Sequence, residues 1–196
     1  QVCRGDLLHT RQIGDGTQTS RATPTLVSGG RLFSAIATMN LATCGLSTGG
    51  TVYCWGANAA AQLGDSTSSD HYVPAAVFGG GSYTALAAGA GHVCALAADS
   101  TAWCWGTSAN RQAGAASGQL VVPTQVSGGL HFASITAGTL HTCGLIANGT
   151  AYCLPPTWTA LHGSAAKLAS LRPIVFTSSA VSSDRMPWLT ASGMSD

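Results

Sequence analysis

Six of the seven cysteines stand in pairs ten residues apart: Cys44 and Cys54, Cys94 and Cys104, Cys143 and Cys153. Thiols at that spacing can form a disulfide or contribute to a metal site, and His92 and His141 each stand two residues before a cysteine. A metal site needs about four ligands. One such segment supplies fewer, and Ala42 occupies the histidine position before Cys44. In an antiparallel hairpin turning at Thr48-Gly49-Gly50, Cys44 and Cys54 face one another. A non-hydrogen-bonded pair brings Cα atoms to about 4.5 Å, within disulfide range. The first reading is therefore three structural disulfides, each contributing roughly 2–3 kcal/mol, in an oxidising compartment. Buried thiols are the second reading and a metal centre the third. Cys3 is expected to be unpaired, since the same spacing puts its partner about ten residues upstream of it, before the first residue; the chain then reads as a piece of a longer protein.

The other chemistry-bearing residues divide by whether they recur. His92 and His141 recur with the cysteines and read as buried hydrogen-bonding residues rather than catalysts. Asp15 and Asp65, each beside a glycine, read as turn carboxylates that accept from nearby backbone N–H groups. Trp55 and Trp105 follow Cys54 and Cys104 and should pack between repeated units. Asp70, His71 and Tyr72 in one connection, and Asn110 and Arg111 in another, are not demanded by the repeat and are the candidate binding residues; Arg31 and His131 join them. No nucleophile elbow or phosphate loop is present. With seven acidic residues, all Asp, general acid–base chemistry has few candidates. The expectation is a protein that is not an enzyme, with no cofactor and no metal.

A net charge of +1, with 8% of residues charged, offers no basic patch for nucleic acid. The longest apolar-leaning stretch, 85–98, is too short and weakly hydrophobic to span a bilayer.

The elements that would position these residues repeat. Second cysteines fall at 3, 54, 104 and 153. Within each period comes a Gln-x-Gly element (Gln12-Ile-Gly14, Gln62-Leu-Gly64, Gln112-Ala-Gly114), then a Pro-x-x-Val strand at 24–27, 74–77 and 123–126. A glycine doublet follows, then a strand opening on an aromatic at Phe33, Tyr83 and Phe132, and last the cysteine hairpin. Four short strands per period of about 50 residues, with no helical periodicity, predict an all-β chain of β-propeller blades. Residues 1–153 are expected to be blade repeats, about three of them recognisable. Residues 154–196 are expected to be a degenerate or disrupted fourth, since Leu154-Pro155-Pro156 replaces the Trp-Gly step.

His-Thr-Cys143-Gly-Leu…Gly-Thr-Ala-Tyr-Cys153 and Cys54-Trp-Gly-Ala-Asn58…Gln62-Leu-Gly-Asp65 resemble regulator of chromosome condensation repeats, in a bacterial, cysteine-paired and exported branch. Kelch repeats, also near 50 residues, lack the Cys-Trp-Gly and Gln-Leu-Gly steps. The resemblance implies a propeller, most often seven-bladed. This chain would supply an incomplete ring, closed by an oligomer or by a longer parent chain. Function is then expected to be non-catalytic binding of a protein partner, outside the cell or on its surface, or in the cytoplasm if the cysteines are reduced. Alternatives are guanine-nucleotide exchange on a small GTPase, which the resemblance implies, and a propeller-based hydrolase or lyase.

Overall fold

Short runs of small and apolar residues bounded by Gly, Asp and Ser favour brief strands joined by tight turns. A computed structural model describes residues 10–114 and 118–154 and shows them as three antiparallel sheets in sequence order. The first contains β1 (Phe33–Thr38), β2 (Ala42–Ser47), β3 (Val52–Gly56) and β4 (His71–Ala76). The second contains β5 (Tyr83–Ala88), β6 (His92–Ala97), β7 (Ala102–Thr107) and β8 (Gln119–Gln125). The third contains β9 (Phe132–Ala137), β10 (Thr142–Ile146) and β11 (Ala151–Leu154). A 3₁₀ turn at Thr10–Ile13 precedes them. Among the described residues no helix is long and apolar enough to cross a membrane.

These sheets are propeller blades, and among the described residues they do not close a ring. β5 packs on β1 and β2, and β9 packs on β5 and β6. The first strands therefore lie toward the axis, and β4 and β8 form outer edges. The core lies between blades: Leu46, Val52, Leu63 and Val77 from the first meet Tyr83, Val93, Ala95 and Trp105 from the second. Each cysteine pair sits on the central hairpin of its blade, Cys44 opposite Cys54, Cys94 opposite Cys104 and Cys143 opposite Cys153. All three pairs are disulfides, with Cα atoms 4.1, 4.1 and 4.0 Å apart.

The fourth strands differ from expectation. β4 begins at His71 and β8 at Gln119, three or four residues before the prolines of the Pro-x-x-Val segments. An edge strand tolerates Pro74 and Pro123 because their missing N–H groups have no outer neighbour to serve. His71 and Tyr72 are consequently strand residues, not loop residues. The segment 24–27 is not a strand, and no described strand lies beside it. Cys3 and residues 155–196, which carry almost all of the expected fourth repeat, lie outside the described residues.

Candidate functional site

The connection between β3 and β4 is built by side chains that replace missing backbone partners. The Gln62 side-chain oxygen accepts the Ala60 N–H (2.8 Å), and Asn58 Oδ1 accepts the Leu63 N–H (3.0 Å). Ala61 and Gly64 take left-handed φ values of 56° and 62°. The second blade repeats the loop between β7 and β8: Gln112 Oε1 accepts the Asn110 N–H (2.8 Å), and Arg111 has φ 58°. Gln62 and Gln112 of the Gln-x-Gly signposts are therefore buried loop caps.

Beyond this loop four polar side chains converge. Asp65 Oδ1 accepts the Thr67 N–H (2.9 Å) and hydroxyl (2.8 Å), and Asn58 Nδ2 donates to it at 3.1 Å. Asp65 Oδ2 accepts from His71 Nε2 at 2.6 Å. Burial alone would raise the Asp65 carboxyl, but the Thr67 N–H, the Thr67 hydroxyl and His71 outweigh it and hold it below the ordinary 3.8. Asp70 accepts the Asn58 N–H on Oδ1 (2.8 Å) and pairs with Arg11 through Oδ2. The Arg11 guanidinium lies 5.5 Å from the centre of the Tyr72 ring.

Asp70, His71 and Tyr72, singled out from sequence, are thus brought together. Arg11 was missed because it joins them from the 3₁₀ turn, 59 residues away in sequence from Asp70. His71 also has a precedent in the repeat, since Arg21 stands six residues after Asp15 and donates to it at 2.8 Å. Asn110 and Arg111 occupy the corresponding loop of the second blade. The first blade's loop touches the start of β8 where the Ser66 N–H donates to the Val121 carbonyl (2.9 Å) and Gln119 Nε2 donates to the Ala59 carbonyl (3.2 Å). Arg31 and His131 lie at the opposite end of the strands; His131 Nδ1 sits 2.7 Å from the Asp99 carbonyl.

The recurring residues hold blades together. Trp55 Nε1 donates to the Gln12 carbonyl (2.8 Å) and Trp105 Nε1 to the Gln62 carbonyl (3.1 Å). His92 is fully buried and hydrogen-bonds the Thr142 hydroxyl of the next blade (2.8 Å). Burial first, and His141 second, push His92 down to about 4. His141, one blade on, is exposed. Among the described residues no cluster of His, Cys, Asp and Glu is arranged to hold a metal. Both Asp65 and Asp70 are committed to protein partners, so the cluster presents a fixed polar surface with side chains about a quarter to a third exposed at Arg11 (27%), Asp70 (26%) and His71 (33%).

Stacked four-stranded sheets with interblade tryptophan contacts define a β-propeller repeat protein. The family model of the regulator of chromosome condensation (RCC1) repeat matches residues 49–96, and a second model of the same repeat matches 83–112. No curated protein matches the chain. Among solved structures, human WBSCR16 is similar at a TM-score of 0.61 and 20% identity, over 66% of this chain and 34% of that one. Prp20p from Saccharomyces cerevisiae is similar at 0.55 and 20% identity, over 62% and 32%. The yeast RCC1 (Prp20) to which Kap60 is bound gives 0.54 and 20%, over 62% and 31%. The chain spans about a third of the length of these structures.

Proposed function

We propose that this chain is a non-catalytic protein-binding module, working in an oxidising compartment, that recognises a protein partner through the loop end of its blades. The Arg11–Asp70 and Asp65–His71 cluster, with Tyr72 beneath Arg11, carries this reading. It is a polar surface already ordered by internal bonds, so binding costs little further entropy. Tyr and Arg are also the residue types that anchor interfaces. The yeast Prp20p structure is described together with its binding to Gsp1p and histones, which supports a protein partner for blades of this shape. The three hairpin disulfides support secretion or surface exposure.

Affinity capture from culture medium and cell envelope, using wild type and Tyr72→Ala in parallel, tests the reading. A partner retained by wild type and lost with Tyr72→Ala is expected; equal retention by both would remove the cluster from recognition. A nucleotide-release assay on small GTPases separates the exchange-factor alternative, since accelerated release would replace the present reading.

A further inference from the structure

At the far end of the strands from the polar cluster, one residue position is filled differently in two adjacent blades. In the first blade the Arg31 guanidinium lies 4.4 Å from the centre of the Tyr53 ring. It fills the space over Gly29 so closely that a Cβ there would collide with its Nη1. In the second blade Trp103 takes the place of Tyr53, each facing the equivalent residue of the preceding strand, Ala95 and Gly45. Gly81 stands where Arg31 does, directly after a glycine doublet. A Cβ on Gly79, the counterpart of Gly29, would meet nothing within 4 Å. The result is an open groove of about 350 Å³ lined by Phe78, Tyr83, Trp103, Val122, Pro123 and Asp99.

The groove is charged on one side and ordered. Asp99 Oδ1 accepts the Thr101 hydroxyl (2.6 Å) and N–H (3.0 Å), and the Trp103 indole N–H donates to the same hydroxyl (3.0 Å). Carboxylate and indole are thereby fixed in one hydrogen-bonded chain. Among the described residues no hydrogen bond engages Asp99 Oδ2. An aromatic face beside a carboxylate suits a cation, and a planar guanidinium best, because it stacks on the ring while donating to the carboxylate.

We propose that this groove receives an arginine side chain of a partner polypeptide, set over Trp103 and against Asp99 as Arg31 is set over Tyr53. The site is separate from the polar cluster, so its loss would leave the reading above intact.

The test uses the full chain, labelled for NMR, and follows the Trp103 indole resonance during titration with N-acetyl-arginine amide. The neutral isostere N-acetyl-citrulline amide is titrated in parallel. Arginine amide shifts the resonance and the citrulline compound does not. Asp99→Asn weakens binding about three- to fivefold without disturbing the turn, because Asn148 already performs that turn role in the third blade, accepting the Thr150 N–H at 2.9 Å. Trp103→Tyr retains binding, followed then through the indole-independent amide of Thr101. Equal binding of the citrulline compound would make the groove a plain apolar cleft and overturn the proposal. So would no shift with arginine amide, or an unchanged affinity in Asp99→Asn.

Discussion

A methyl group on Gly64 would lie 2.5 Å from Cδ1 of Trp105, so the indole of the second blade is seated on a residue of the first that has no side chain. The same contact joins Gly14 to Trp55, with a Cβ 2.6 Å from the indole nitrogen. Gly64 also has φ 62°. Gly64→Ala therefore combines left-handed strain with a displaced tryptophan, and is expected to destabilise the protein by roughly 2–4 kcal/mol. Urea denaturation followed by tryptophan fluorescence measures it; a loss below about 0.5 kcal/mol, the range of ordinary surface substitutions, would show that the indole moves aside freely.

Acid should weaken the protein in two separate windows. His92 is held down to about 4, against an ordinary 6.5. Between those values the unfolded chain binds the proton and the folded chain does not, so stability is full above the upper value and falls as pH drops toward the lower one. The loss is on the order of 3 kcal/mol. Asp15, Asp65 and Asp99 are all shifted below 3.8; their contribution is present above that value and is lost as pH falls below it. Stability curves against pH for wild type and His92→Gln test the assignment. The slope between about 6.5 and 4 should flatten in the variant, while the lower window remains.

The first blade departs from the others at three positions that compensate one another. Where the second blade has Gly89, His92 and, across the interface, Thr142, the first has Met39, Ala42 and Val93. Gly89 leaves room for the His92 ring, because a Cβ there would collide with it. Met39 and Ala42 are both buried, filling the corresponding space without a polar atom. Ala42→His alone should cost roughly 2–4 kcal/mol, through overpacking and an unpartnered buried imidazole. Combining it with Met39→Gly relieves the crowding, and only addition of Val93→Thr supplies the hydroxyl. Stability in the order single, double, triple variant should rise at each step. If Val93→Thr adds nothing, the interblade hydrogen bond is not what the imidazole needs.

Removing one staple should be felt locally. Replacing Cys44 and Cys54 together by Ala is expected to cost about 2–3 kcal/mol, read as a shift in the urea midpoint. Mass measurement after alkylation under non-reducing conditions checks the pairing itself: Cys44, Cys54, Cys94, Cys104, Cys143 and Cys153 should all resist the reagent.

What could be read from the sequence was local and periodic. The register that sets Cys44 opposite Cys54 follows from one turn and an antiparallel hairpin, and the blade repeat follows from the spacing of those hairpins. The start of β4 was not legible, because proline suggests a strand's beginning when the strand lies at an edge and merely tolerates it. Nor was the contribution of Arg11, since pairing with Asp70 depends on how a distant turn settles on the blade. Gln62 and Gln112 stood out as markers, but their capping role is visible only once the left-handed residues beside them are known. The exchange of Gly89, His92 and Thr142 for Met39, Ala42 and Val93 was not legible either, because its logic runs across a blade interface.

The tryptophan bonds all point one way along the chain: Trp55 reaches back to Gln12, and Trp105 back to Gln62. A blade leaving the ribosome therefore meets an acceptor that has already been synthesised, and never has to wait for one still to come. Growth can proceed as the laying of courses, each gripping the one beneath it. At Leu154, which stands in the tryptophan position against Gly114, the course is laid without that grip.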